Sequence, residues 1–209
     1  MATTDGKRQP RKPARRTNEA RSAETRKALI EATIGCLCAL GYARTTTLEI
    51  SRRAKITSGA LQHHFGKKDE LIIAALDALM VELAEVLERF EGTRGNLPDR
   101  IAAFVDLVWG DFYSQPRYAA VWEIVVGSRA EPRLHKRVAR HRETSIEKCE
   151  AVWRRAFGIG PNDQHPSIEA LYFALSYMRG EAILPAGERR AGSDEARARL
   201  LKSFILERF

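Results

Sequence analysis

The side chains best suited to chemistry in this sequence are gathered in one short stretch. Thr46, Thr47, Lys55, Thr57, Ser58, Gly59, Ala60, Gln62, His63, His64, Lys67 and Lys68 all fall within 23 residues. They are hydroxyls and amides that donate and accept, small residues that permit close approach, and cations. Such a mix suits hydrogen bonds to base edges and phosphate oxygens better than bond cleavage or transfer. Enzyme chemistry finds no comparable grouping: there is no nucleotide-binding Gly loop and no Ser or Cys nucleophile in a recognisable setting. Cys36 and Cys38 fall two apart on a helical stretch, point about 200° from one another and cannot share one metal. With Cys149 they read as small buried hydrophobes, not as a disulfide framework. His63 and His64 lack a third ligand at helical spacing, and His135 and His141 read as ordinary surface groups. The expectation is a protein that is not an enzyme and holds neither metal nor cofactor.

Charge points to a polyanionic partner. The 209-residue chain carries a formal net charge of +8. Residues 1–68 hold 15 Lys and Arg against 5 Asp and Glu, while the remainder holds 20 against 22. All of the excess positive charge therefore lies in the first third. A nucleic-acid binder without sequence preference shares that basic third, but has no need of a large, nearly neutral remainder.

The elements that must position these residues are helices. Residues 1–21 are rich in Lys, Arg, Pro, Ala and Thr and read as a disordered basic tail. Its cations Lys7, Arg8, Arg11, Lys12, Arg15 and Arg16 suit phosphate tracking and plain solvation equally. A first helix runs from Ser22 to about Leu40, with Leu29, Ala32, Cys36, Leu37 and Leu40 on one stripe, and Gly41 stops it. Thr46 and Glu49 form a capping box that opens a second helix bearing Leu48, Ile50 and Ala54. After a break at Lys55–Thr57 comes a third helix, Ser58 to His64. Asp69 and Glu70 open a fourth that reaches Phe90. A loop at 91–98 precedes helices at about 99–114, 116–128, 131–157, 166–184 and 194–207. The pattern predicts an all-α fold: a helix-turn-helix domain at 22–68 with its motif at 46–65, and a larger helical domain at 69–209. No apolar run is long enough for a bilayer and the basic N-terminus lacks a secretory signal's apolar segment, so a cytoplasmic protein is expected.

The stretch 41–71 resembles the DNA-binding domain of the TetR family of bacterial transcriptional regulators. Gly41, Tyr42, Thr45 to Thr47, Ile50, Ala54, Thr57, Gly59, Leu61, His64, Phe65, Lys68, Asp69 and Leu71 carry the resemblance in order. It spans about residues 22–85. The resemblance implies that the third helix enters a major groove, with Leu61 and Phe65 packing inward and Lys67 and Lys68 on phosphates. Two positions depart from the family pattern. Lys55 stands where the family often has Gly, and a left-handed turn there costs about 1 kcal/mol. Gln62 replaces the usual Tyr, and a Gln amide is suited to two-point contact with adenine.

The resemblance also implies a sequence-specific repressor, with a C-terminal domain that dimerises and encloses a small-molecule effector. Ile168 to Leu184 is apolar nearly all round and must be covered on more than one side. With the helix at 194–207 it suits a homodimer interface, and paired recognition helices read a pseudo-palindromic DNA operator. Trp109, Phe112, Tyr113, Trp122, Val126, Trp153, Phe173, Tyr177 and Met178 are candidates for an effector pocket, though for any single one plain core packing is the favoured reading. The aromatics permit cation–π binding of an amine. Arg179 and Glu181 interrupt an apolar helix and face a pocket, a dimer partner or solvent.

Overall fold

Every regular element of the computed structural model, which describes residues 18–184, 188 and 193–209, is helical. The chain begins with α1 (Asn18–Leu40), α2 (Thr47–Ala54), α3 (Ser58–Phe65) and α4 (Lys68–Glu91). α5 (Leu97–Val108) runs into a π-helical turn at Trp109–Tyr113, and a 3-10 turn at Pro116–Tyr118 leads into α6 (Ala119–Gly127). α7 (Pro132–Phe157), α8 (Pro166–Glu181) and α9 (Ser193–Leu206) complete the chain. Among the described residues no helix is long and apolar enough to cross a membrane.

The starts and stops follow from local chemistry. Thr46, Thr57 and Asn96 cap α2, α3 and α5, each accepting an amide N–H three residues on, at 3.2, 3.2 and 2.9 Å. Proline in the first turn of α5, α7 and α8 removes an N–H that has no helical partner there anyway. α1 starts at Asn18, so the predicted tail is too long at its end: Asn18–Arg21 form an exposed first turn, with Glu19 where the helix dipole favours an anion. The six tail cations lie outside the described residues. The helix expected at 99–114 is α5 plus the π turn, where the Ser114 amide reaches the Trp109 carbonyl at 2.8 Å. Cys36 and Cys149 are buried as expected, but Cys38 is exposed, with its Sγ 3.7 Å from the Pro116 carbonyl.

Two hydrophobic clusters organise the molecule, and α1 and α4 belong to both. A small one joins Leu29, Ala32 and Cys36 of α1 to Ile50, Leu61, Phe65, Leu71 and Ala74. The large one takes Ile34 and Leu37 from the opposite side of α1, and α4 from Ile72 to Phe90. Each fully buried large apolar side chain contributes about 1.5–3 kcal/mol, so α4 is held from both ends. Its first turn completes the small cluster and the rest is a central strut of the body. At the far end of the body, Trp153 is fully buried between Phe104, at 4.8 Å centroid separation, and Phe157, at 4.5 Å.

Candidate nucleic-acid interface

The helix-turn-helix is built from α2, α3 and the turn between them. Ile50 and Leu61 are completely or almost completely buried in the small cluster, and Phe65 closes it beneath the Arg26 guanidinium, 4.3 Å from its ring centroid. The turn is left-handed at Lys55, with φ 55° and ψ 39°. The following Ile56 amide reaches back to the Ser51 carbonyl at 3.0 Å, which closes a helix stop usually made with Gly. Lys55 is thus held in the costly conformation that its place in the sequence predicts. Half of the capping box is present: Thr46 receives the Glu49 amide, while the Glu49 carboxylate is on Arg52 at 2.8 Å.

With the inner face of α3 fixed, its outer face follows. Thr57, Ser58, Gly59, Gln62 and His63 are exposed, and Ala60 and His64 are half-buried beside them. Thr46, Thr47, Lys55 and Lys67 are exposed around the same edge. Thr46 and Thr57 use oxygen lone pairs as caps, which leaves their O–H groups able to donate outward. Gly59 is informative because a Cβ built there meets no atom within 4 Å. Nothing inside the protein requires a glycine at this position.

Two sequence expectations need correction. Lys68 does not stand outward with Lys67: its ammonium lies 4.2 Å from the Tyr42 ring centroid and donates to the Tyr42 carbonyl at 3.3 Å. Burial there lowers its pKa, partly offset by Glu131 and Asp69. Leu48, grouped with Ile50 as an apolar position, is 68% exposed, since residues two apart on a helix face nearly opposite ways.

Tyr42 is the functional contact that sequence reading passed over. Its amide donates to Glu123 of α6 at 2.7 Å, and its hydroxyl donates to Glu131 at 2.7 Å. Its side chain packs closely on Gly127, where a Cβ would fall 2.0 Å from the ring's Cγ. Burial and the Glu131 carboxylate both push the hydroxyl pKa up, so the hydroxyl stays protonated and able to donate at neutral pH. Arg117, just before α6, bridges Glu31 of α1 and Glu82 of α4, at 2.7 Å each. The end of α1 is therefore docked on α6 at several points. Gly41–Tyr42 in the sequence marks a helix end, but nothing local to it names Gly127 or Glu131.

The opposite side of α6 lines a cavity of about 60 Å³. Val121, Trp122 and Val125 form that wall, with Phe112, Tyr113 and Tyr118 adjoining, and Arg142 and Arg179 among the polar lining. Three of the nine pocket candidates, Phe112, Tyr113 and Trp122, are here. Trp109, Tyr177 and Met178 instead line a gap of about 20 Å³ beside α9. The remaining three line neither. Trp153 is core, donating through its indole to Ser167 at 3.2 Å, while Val126 and Phe173 are exposed on outer faces.

The class this geometry defines is an all-α protein with a helix-turn-helix headpiece docked on a larger helical body. Residues 29–75 match the family described as "Bacterial regulatory proteins, tetR family". The matched segment, which takes in α2, α3 and the adjoining parts of α1 and α4, is thus a TetR-type DNA-binding domain. It is 34% identical over 98 residues to the HTH-type transcriptional regulator BetI of Stenotrophomonas maltophilia, covering 46% of this chain and 50% of that protein. The chain thus spans about half the length of that relative. A longer match, 25% identical over 171 residues, is to the HTH-type transcriptional regulator CymR of Pseudomonas putida, covering 82% and 84% of the two chains. Among solved structures, a putative TetR-family transcriptional regulator from Mesorhizobium loti superposes with a TM-score of 0.71 at 15% identity, covering 90% of this chain and 97% of that one. A TetR transcriptional regulator from Chloroflexus aurantiacus gives 0.70 at 20% identity with the same coverages. At such identities the structures establish the fold.

Proposed function

We propose that this chain is a sequence-specific DNA-binding transcriptional regulator, a repressor that leaves its operator when a small molecule fills the body cavity. The observation that carries the reading is the outer face of α3. It is a row of small and polar side chains with no packing duty, backed by a fixed inner face, within the basic third of the chain. Thr57, Ser58, Gly59 and Gln62 would meet base edges, and Thr46, Thr47, Lys55 and Lys67 would meet phosphates. The part up to residue 68 serves DNA, and 69–209 serves regulation and dimerisation, in the cytoplasm.

An uncovered apolar surface supports the homodimer. Phe173 of α8 is 52% exposed, with its ring 4.7 Å from Phe204 of α9, and Leu200 is 69% exposed beside them. A second copy of α8 and α9 would cover this face and form a four-helix interface. The paired recognition helices would then sit about one DNA turn, or a multiple, apart on a pseudo-palindrome. α6 supports the coupling, since one side lines the cavity while Glu123 and Gly127 hold Tyr42. A ligand that moves α6 shifts the headpiece and with it the tilt of α4.

The test is a gel shift with the DNA upstream of the protein's own gene against random DNA, at ~150 mM salt. Preference for the upstream DNA by about a thousandfold is expected. Equal affinity for both would overturn the specific-regulator reading.

A further inference from the structure

The cavity against α6 has an unusual charge balance. Its walls are chiefly apolar and aromatic, yet two cations, Arg142 and Arg179, line it, and no Asp or Glu does. Arg142 is largely exposed to solvent, whereas Arg179 reaches in from α8, a helix otherwise packed through Leu171, Leu175 and Met178. Among the described residues no carboxylate lies within ion-pair distance of Arg179. Its partner is a neutral group: the Arg179 Nε donates to the Tyr113 hydroxyl at 3.3 Å. Burial opposes the guanidinium's charge, and the nearby groups favouring it are the Tyr113 and Tyr118 hydroxyls and the Cys149 thiol. None of these is an anion at neutral pH. Burial pushes Tyr113 up to about 12, with Arg179 pulling the other way, and Cys149 up to about 11. Its pKa is raised on balance, yet a half-buried guanidinium whose neighbours are neutral at pH 7 still lacks a counter-charge that an arriving anion would supply.

Resting on the reading of this cavity as the effector site, we propose that the effector is a small aromatic monocarboxylate. Its carboxylate pairs with the Arg179 guanidinium and accepts from the Tyr113 hydroxyl, and its ring lies among Phe112, Tyr118 and Trp122. Engagement of the Nε with Tyr113 leaves the two terminal nitrogens as a fork of the shape that receives a carboxylate at two points. One acid suffices, because Arg142 is largely exposed to solvent and the lining residues Leu76, Val121 and Val125 offer a second charge no partner. The amine that the aromatic content permits is disfavoured, since it would enter beside two cations with no acid to receive it.

Size favours one ring. A cavity of about 60 Å³ is the space of roughly two waters in the liquid, so its walls must part to admit even that. Two wall elements can yield. Met80 is unbranched and adaptable, and Phe112 and Tyr113 ride on a π-helical turn, a local irregularity frequent at functional sites.

Calorimetric titration of the full chain with benzoate, benzamide and benzylamine at neutral pH tests the assignment. Benzoate should bind one per chain, at least about tenfold tighter than the other two, as loss of a charge-assisted hydrogen bond implies. Arg179→Gln should weaken benzoate by a similar factor and leave benzamide unchanged, and Tyr113→Phe should do the same to a lesser degree. Tyr113→Phe also keeps the test open if the Arg179 variant fails to fold. Benzamide or benzylamine binding as well as benzoate, no binding by any of the three, or an Arg179 variant with undiminished benzoate affinity would overturn the proposal. The gel shift separates the two readings. If benzoate binds through Arg179 but leaves DNA affinity unchanged, the ligand assignment stands and the ligand-released repressor falls. If benzylamine releases the DNA, the sensor stands and the carboxylate assignment falls.

Discussion

The headpiece and the body share α1 and α4 but expose their functions in opposite ways. The headpiece works through an outer surface. Its buried positions, Ile50, Leu61 and Phe65, lie on two short helices, so the intervening positions are outward by helical geometry alone. On the proposed reading the body works through an inner surface, the cavity against α6, whose walls come from the π turn and from α4, α6, α7 and α8. A surface site is encoded by local spacing, whereas an interior site is encoded by which distant helices meet. Substitutions should therefore separate cleanly into those that cost binding alone and those that cost the fold.

The largest effect belongs to the body. Trp153→Ala removes a fully buried ring packed among Phe90, Phe104 and Phe157 and frees the Ser167 hydroxyl it bonds. Urea unfolding should show a loss of about 3–5 kcal/mol. A loss below about 1 kcal/mol would mean that the aromatic centre is not the body's core. Next comes the joint between the two regions. Gly127→Ala must push the Tyr42 ring off α6, because the added Cβ would sit 2.0 Å from it. A destabilisation of about 1–3 kcal/mol is expected, as for other overpacked sites. The same variant should weaken the effect of ligand on DNA affinity. Unchanged coupling would remove Tyr42 from the path between cavity and headpiece.

The headpiece predictions carry the opposite signature. Gln62→Ala should leave the melting temperature within error and weaken operator binding by about 1–3 kcal/mol, if its amide reads a base. An equal loss on random DNA would reassign Gln62 to phosphate. Gly59→Ala sharpens the contrast further. Open space surrounds Gly59 and alanine is the better helix former, so stability should rise by up to about 1 kcal/mol while DNA affinity falls. A variant that is both more stable and equally tight would place Gly59 outside the interface.

How much of this was legible in the sequence follows the same division. Helix positions along the whole chain are readable because caps, prolines and apolar periodicity are local signals. The outward residues of α3 are readable for that reason too, whereas the αL turn at Lys55 falls where the family resemblance, with its Gly at that position, implies one. Lys68 is misread because its ammonium answers to Tyr42, a residue 26 positions earlier. Among the pocket candidates, Phe112, Tyr113 and Trp122 reach the main cavity, while Trp153, an equally plausible aromatic, is sealed in core. Residue type cannot distinguish those fates, which depend on the packing of α5, α7 and α8. Arg179 had a visible signal, a cation interrupting an apolar helix. That no acid among the described residues pairs with it is a fact of tertiary structure.

The smallest predicted effect tests the joint electrostatically. Glu70, in the first turn of α4, is held by Arg137 of α7 at 2.7 Å, which ties the end of the headpiece to the body. Hydrogen bonding from Arg137 keeps the Glu70 carboxyl below its ordinary pKa, with a smaller opposing cost of desolvation. A carboxyl whose pKa is depressed in the folded state adds stability that is complete above its unfolded value and is lost as pH falls through the folded one. Both side chains are about half exposed, so solvent screening limits the contribution to a few tenths of a kcal/mol. Thermal melts of wild type and Glu70→Gln should therefore differ slightly at pH ~7 and converge below pH ~4. The gap should also shrink in high salt, where an exposed pair is screened. Arg137→Gln should remove most of this pH dependence while leaving Glu70 in place. A gap that persists in acid would show that Glu70 supports α4 through packing, and that the joint rests on the Tyr42 and Arg117 contacts.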